Sequence, residues 1–153
     1  MELDEEYRPL IHFTPAKNWM NDPNGLVWHK GEYHLFFQHN PQGTQWGNMS
    51  WGHAVSKDLR SWEELPVAIT EDNDGAIFSG SAVVDYNNTS GFGTQENPPI
   101  VAIYTEHQND ESNQAQCLAF SLDEGLTFTK YDPSFDLVIP LINGKQPFIS
   151  VLL

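Results

Sequence analysis

The chain has 153 residues, which suits one ordinary domain, and hydrophobic residues make up 39% of it, enough for a buried core. It carries 21 Asp and Glu against 7 Lys and Arg, for a formal net charge of -14. Such a surface repels nucleic acid and anionic membranes, so a neutral or cationic ligand is the expected partner; diffuse acidity also serves solubility. The single cysteine, Cys117, excludes an internal disulfide.

The pattern predicts short strands separated by turns rich in Gly, Pro, Asn and Asp, and no long helix. The first strand is expected at 25–29, directly after Asp22-Pro23-Asn24-Gly25, which has the residue order of a β-turn. Lys30-Gly31 then predicts a hairpin to a strand at 32–39. The fold class is therefore all-β, with further strands expected at 50–55, 62–69, 76–85, 100–107, 115–121 and 127–131.

Two segments of the chain resemble each other. Residues 54–62 and 119–128 both read as a strand, a Ser-x-Asp turn and an aromatic residue that opens the next strand. The Ser and Asp side chains can hydrogen-bond the turn backbone. The second copy resembles a hairpin turn found in sugar-processing β-propellers. A spacing of about 65 residues corresponds to roughly one propeller blade with its loops, which indicates about two blades.

Asp22 is the candidate reactive carboxylate. Taken with its three neighbours alone, it is more simply explained as the cap of a turn. Its wider setting includes Trp19, Gln38, Trp46 and the segment Phe78-Ser79-Gly80. Carbohydrate sites combine aromatic faces that pack on sugar C–H groups with amide and acid groups that bind hydroxyls. The setting therefore favours a sugar site, with ordinary core packing as the alternative for each aromatic residue.

Six segments are informative together: His12 to Pro15, Trp19 to Gly25, Phe36 to Pro41, Trp46-Gly47, Trp51 to Ala54 and Phe78 to Ser81. In combination these motifs resemble glycoside hydrolase family 32, the β-fructofuranosidases that include invertases, inulinases and levanases. The resemblance implies a five-bladed β-propeller catalytic domain. Its N-terminal part, about the first two blades, is assigned to residues 1–131, and residues 132–153 are a tail that does not match the family.

The resemblance implies that Asp22 is the nucleophile, which attacks the anomeric carbon of a terminal fructofuranosyl unit in a retaining mechanism. The substrate would be sucrose, inulin or levan, and no cofactor is implied. Family members are often secreted, whereas the acidic N-terminus shows no signal peptide, so localisation stays open. The resemblance assigns substrate binding to Trp19, Asn21, Gln38, Trp46, Phe78 and Ser79.

Two further carboxylates of the family are not matched. The transition-state stabiliser belongs to an Arg-Asp-Pro motif, but here Asp132-Pro133 follows Tyr131. The acid/base belongs to a Glu-Cys motif, but here Cys117 follows Gln116. The expectation is an inactive fragment of a β-fructofuranosidase, with a non-catalytic carbohydrate-binding or pseudoenzyme fragment as the alternative. Substrate preference, hydrolysis against fructosyl transfer, and oligomeric state stay open.

No metal site is predicted. His29 and His34 are five residues apart, so their side chains are expected on opposite faces. The segment Asp72-Asn73-Asp74-Gly75 lacks the spaced ligands of a calcium loop and favours a turn. Glu106 ends a predicted strand and is expected at the rim of the site.

Overall fold

The computed structural model describes residues 6–108 and 114–131, and its regular elements are all β-strands, which confirms the predicted fold class. Within these two ranges there is no helix long and apolar enough to cross a membrane. The strands are β1 Trp19–His29, β2 Glu32–Asn40, β3 Ser50–Ser56, β4 Glu63–Ile69, β5 Gly75–Val84, β6 Ile100–Gln108, β7 Gln114–Ser121 and β8 Thr129–Lys130.

The strands form two four-stranded antiparallel sheets, in the orders β1-β2-β3-β4 and β5-β6-β7-β8. Each strand pairs with the next one in the chain, which is the meander of a propeller blade. The predicted pair of blades is confirmed. The first strands of the two blades, β1 and β5, contact each other. Lys30 and Gly31 both have positive φ, as a two-residue hairpin turn requires, so the predicted β1–β2 hairpin is also confirmed.

The core lies between the two sheets. Phe36 and Trp51 of the first sheet are fully buried against the second sheet, where Trp51 meets Tyr104 with ring centroids 6.3 Å apart. Burial of each such side chain contributes about 1.5–3 kcal/mol. The next residue of β2, Phe37, points to the other face and packs on Phe13 at 5.1 Å. The alternation along β2 therefore follows the sequence pattern.

The predicted turn at Asp22-Pro23-Asn24-Gly25 is wrong, because these residues lie inside β1. Two β-bulges accommodate this segment within the strand, and at each bulge two residues of β1 oppose one residue of β2. Gly25 has a φ of +49°, which suits a bulge position. Pro23 needs no N–H partner because β1 is the first strand of its sheet. The sequence features of a turn thus serve here to kink a strand.

Both Ser-x-Asp segments form the predicted hydrogen-bonded turns. Ser56 Oγ accepts from the N–H of Leu59 at 2.8 Å, and Asp58 Oδ1 accepts from the N–H of Ser61 at 2.7 Å. These backbone donors lower the pKa of Asp58 to about 2. The same construction therefore closes the third hairpin of each blade. The matching bonds of the second turn join Ser121 Oγ to the N–H of Gly125 at 2.8 Å and Asp123 Oδ1 to that of Thr127 at 2.9 Å.

The expectation that His29 and His34 point to opposite faces is wrong. The hairpin register pairs His29 with Glu32, which shares a face with His34, so the five-residue spacing does not apply across the turn. His34 Nδ1 lies 3.1 Å from His53 Nε2, and all three imidazoles are buried. Burial lowers the pKa of His53 to about 3 and lowers those of His29 and His34 as well. The described residues contain no group of three or more His, Cys, Asp or Glu arranged to hold a metal ion.

We expect the free energy of unfolding to fall as pH falls from 7 to 5. The unfolded chain protonates these imidazoles near pH 6.5. In the folded chain burial lowers the pKa of all three and keeps His53 neutral, so the unfolded state binds more protons. For His53 alone the loss is about 2 kcal/mol over this range. Urea denaturation at several pH values measures the free energy of unfolding, and His53→Gln should reduce its dependence on pH. The exposed His12→Gln is the matched control. If the free energy of unfolding of His53→Gln depended on pH as strongly as that of the parent chain, His53 would not be the cause of the loss of stability.

Candidate active site

The site forms where the first strands of the two blades meet. Asn21 and Asp22 of β1 form one bulge, and Phe78 and Ser79 of β5 form another, opposite Thr105 of β6. Bulges re-aim side chains that regular alternation would send elsewhere. The two bulges lie together, since Ser79 Oγ donates a hydrogen bond to Asp22 Oδ2 at 2.7 Å. The nucleophile candidate is thus fixed by a hydroxyl from the neighbouring blade.

Side chains of the first sheet satisfy the backbone groups that the β5 bulge frees. A buried carbonyl or N–H without a partner would cost about 1–3 kcal/mol. Three side chains prevent this and so hold the bulge in place. The bonds run from Gln38 Nε2 to the carbonyl of Ile77 (2.9 Å), from Trp51 Nε1 to that of Phe78 (3.0 Å), and from the N–H of Gly80 to Asn24 Oδ1 (3.2 Å).

Two glycines allow the strands to approach closely beside the bulges. A Cβ at Gly80 would lie 2.0 Å from the carbonyl oxygen of Ile103. A Cβ at Gly25 would lie 2.9 Å from the Cβ of Ala82, across the blade interface. Larger residues would therefore force the strands of this region apart.

An open cleft of about 320 Å³ lies over the bulges, near the lower end of the size range of ligand pockets. Six of the seven predicted site residues line it. The exception is Trp19, which is half-buried at the start of β1 and donates its backbone N–H to the carbonyl of Gly43 at 3.0 Å. The cleft-lining residues are Asn21, Asp22, Gln38, Trp46, Phe78, Ser79, Thr105 and Gln114.

Thr105 and Gln114 are two lining residues that the sequence analysis did not identify. Thr105 stands opposite the β5 bulge, and Gln114 begins β7 beside it. The strand containing Thr105 was predicted, but the bulge that brings it to the cleft has no clear sequence signal. Register, rather than residue type, therefore determines which β6 and β7 side chains reach the cleft.

One side of the cleft is aromatic. Trp46 is 64% exposed and meets the edge of Phe78 with centroids 6.4 Å apart. Phe78 stacks in turn on His107 at 5.0 Å, with an interplanar angle of 14°. The exposure of Trp46 is unlike ordinary core packing, which was the alternative for this residue.

Asp22 is the one carboxylate among the cleft-lining residues of the described chain, and it is exposed. Glu106 does not lie at the rim, so that expectation is wrong. It is buried on the opposite face of β6, where its oxygens lie 3.3 Å from Lys130 Nζ and 3.7 Å from Cys117 Sγ. Burial and the Glu106 charge raise the pKa of the Cys117 thiol to about 11. Adjacent strand residues face opposite sides, which places Thr105 in the cleft and Glu106 outside it.

Consecutive four-stranded blades are typical of a β-propeller, and here a carboxylate and an aromatic wall lie where the first strands of two blades meet. The model of the glycosyl hydrolases family 32 N-terminal domain matches residues 12–146. The chain therefore belongs to glycosyl hydrolases family 32. The match continues past residue 131, beyond which the structure describes no residue, so the boundary at 131 stays a prediction.

Individual relatives agree with the family assignment. A levanase of Bacillus subtilis (strain 168) is 64% identical over 145 residues, which are 95% of this chain and 21% of the levanase. The crystal structure of exo-inulinase from Aspergillus awamori matches with a TM-score of 0.78 and 52% identity over 86% of this chain and 29% of that one. The structure of β-fructofuranosidase from Schwanniomyces occidentalis complexed with fructosyl-erythritol matches with a TM-score of 0.75 and 51% identity, over 86% and 27%. The chain thus spans 21 to 29% of these relatives.

We expect Gln38→Leu to lower the free energy of unfolding by about 1–3 kcal/mol, because the buried carbonyl of Ile77 loses its donor. Urea denaturation at pH 7.5 measures the change. Gln42→Leu alters an exposed glutamine on the following loop and should change stability by less than about 0.5 kcal/mol. Equal losses in the two variants would show that the bond does not hold the bulge.

Proposed function

We propose that this chain carries the nucleophile and part of the fructose-binding site of a retaining β-fructofuranosidase. The observation that supports this most directly is the geometry of Asp22. Ser79 binds its Oδ2 at 2.7 Å, which orients the carboxylate and leaves Oδ1 available to approach a sugar carbon in the cleft. Holding the nucleophile in one orientation lowers the entropic cost of reaching the transition state.

The proposed chemistry is a double displacement. Asp22 Oδ1 forms a bond to the anomeric carbon of a terminal β-D-fructofuranosyl unit while the bond from that carbon to the leaving sugar oxygen breaks. Water then releases fructose with retention of configuration. The leaving oxygen needs a proton from a second carboxylic acid, and Asp22 is the single carboxylate among the described cleft residues. The acid/base and transition-state stabiliser therefore have no assigned residue in the described cleft.

The substrate class follows from the wall of the cleft and from the relatives. Asn21 and Gln38 offer amides for fructose hydroxyls, and Trp46 and Phe78 offer faces for its C–H groups. Among the relatives, one is named a levanase and another an exo-inulinase. We therefore propose sucrose or fructans as the substrate. Ser79 completes the contacts beside Asp22, and by family resemblance Trp19 supports the same subsite from the start of β1.

A second candidate function is sugar binding without catalysis. The single carboxylate of the described cleft favours it for the 153 residues acting alone. Removing one catalytic group typically costs a factor of about 10² to 10⁴ in rate, so a cleft without its acid/base would bind sugar but turn it over very slowly.

Titration calorimetry and a fructose-release assay test the proposal together. We expect fructose to bind, and sucrose and inulin to yield no measurable fructose with this chain alone. Asp22→Ala should weaken fructose binding by about 3- to 10-fold because a hydrogen-bond acceptor is lost. Asp74→Ala, on the exposed loop between the blades, should leave it unchanged. No binding by a folded chain would contradict the proposal, and turnover abolished by Asp22→Ala would contradict the expected inactivity.

A fructosyl donor whose leaving group needs no proton tests the role of the nucleophile independently of the acid/base. The fluoride of β-D-fructofuranosyl fluoride leaves without a proton, so Asp22 should displace it and acquire one fructosyl group. Peptide mass spectrometry should find the adduct at Asp22 and none in Asp22→Asn. A folded chain that binds fructose but forms no adduct would favour the non-catalytic binding function instead.

A further inference from the structure

The two blades also meet at the end of their interface that is remote from Asp22, where the β1–β2 hairpin lies against the second Ser-x-Asp turn. We propose that this contact is an acid-sensitive device, which opens locally as pH falls from 7 to 5 while the blades stay joined beside Asp22. We call it the remote contact. Its members are His29, Lys30, His34, His53, Glu124 and Gly125.

The second turn lies directly on buried rings of the first blade. A Cβ at Gly125 would lie 3.1 Å from Cε1 of His53 and 3.3 Å from Cζ of Phe36. These two rings stack on each other with centroids 4.4 Å apart, and both are fully buried. The turn therefore shields the His53 ring from water, and water reaches that ring once the turn moves away.

The closed contact has no place for an additional proton on His53. Its Nε2 lies 3.1 Å from Nδ1 of His34, so one of these nitrogens donates and the other must keep its lone pair. A proton on the accepting nitrogen would set two N–H groups against each other. The other nitrogen of His53, Nδ1, is buried and has no hydrogen-bond partner in the described part of the chain. An imidazolium at His53 would therefore be a buried cation without an acceptor.

The charged groups around the imidazoles do not compensate for this. Glu32 and Glu124 favour the protonated form of His34, and Lys30 opposes that of His29, but burial is the largest effect and lowers the pKa of both imidazoles. Lys30 and Glu124 bond each other at 2.8 Å, and both side chains are about half exposed, so water screens their charges. The loop after β5 adds the ring of Tyr86, 6.2 Å from that of His29.

Opening of the remote contact allows protonation that the closed contact prevents. An imidazole in water protonates near pH 6.5, so for His53 alone the equilibrium constant for opening should rise about 25-fold between pH 7 and pH 5. Protonation of His29 and His34 acts in the same direction. Beside Asp22 the blades are joined by the amide of Gln38 and the indole of Trp51, which do not titrate in this range. The effect of acid is therefore expected at the remote contact alone.

Hydrogen exchange of the 153-residue chain, followed by peptide mass spectrometry and corrected for the intrinsic effect of pH, tests the proposal. The buried N–H of Gly125, bonded to Ser121 Oγ, is one reporter. We expect exchange within residues 121–127 to accelerate about 25-fold or more from pH 7 to pH 5. Low concentrations of urea should change it little, because a local opening exposes little surface. Residues 76–82, beside Asp22, should stay better protected at pH 5 and exchange faster as urea is added.

A neutral replacement identifies the group that senses the acid. His53→Gln should reduce the acceleration within residues 121–127 by about 10-fold or more. The exposed His12→Gln is the matched control and should keep the full acceleration. Near-UV circular dichroism verifies the folding of each variant, and His53→Asn replaces His53→Gln if the latter does not fold.

Three results would overturn the inference. If urea accelerates exchange within residues 121–127 as strongly as within residues 76–82, both ends of the interface open together and the imidazoles act only on global unfolding. If protection within residues 121–127 is the same at pH 7 and pH 5, the remote contact does not respond to acid. If a folded His53→Gln chain keeps the full acceleration, His53 is not the sensor.

Discussion

The site depends on hydrogen bonds that cross from the first blade to the bulged strand of the second. When β5 departs from regular pairing at Phe78 and Ser79, backbone groups are released that the ladder would otherwise satisfy. The side chains of Gln38 and Trp51, in the first sheet, donate hydrogen bonds to two backbone carbonyls of β5. These two side chains therefore join the blades, stabilise the bulge and line or support the cleft at once. Packing alone, being non-directional, would not fix the bulge in this position.

The blades are also joined at the end remote from Asp22. A Cβ at Gly125, in the second Ser-x-Asp turn, would lie 3.1 Å from the His53 ring, and Lys30 of the first hairpin bonds Glu124 at 2.8 Å. The buried imidazole pair of His34 and His53 lies beside this contact. The exposed ion pair contributes little, whereas the buried contacts exclude water and need neutral imidazoles. Hydrogen bonds to the bulged strand thus join the blades near Asp22, whereas buried imidazole contacts join them at the other end.

Much of this arrangement could be predicted from residue order. Alternation and turn residues located the strands, and the repeated Ser-x-Asp turns indicated two blades, because both depend on local chemistry. Register could not be predicted. Asp22-Pro23-Asn24-Gly25 has the composition of a turn, and only pairing with β2 keeps it in a strand. The proximity of His29 to His34, the burial of Glu106 and the position of Thr105 all follow from pairing across strands, which composition does not record.

The two bulges of β1 have a consequence for the phase of the strand. Each bulge shifts by one residue the alternation of side chains that face the second blade. The second bulge restores the alternation that the first one changed, so it is inverted only in the segment between the two bulges. Asn24 lies in that inverted segment, which turns its amide inward to meet Gly80, while Val27 and His29 beyond it keep the phase of Trp19. A single-residue deletion within either bulge would leave the phase uncorrected and exchange the inner and outer faces of everything on one side of it. The residue count between Trp19 and Val27 is therefore as much a part of the site as the residues themselves.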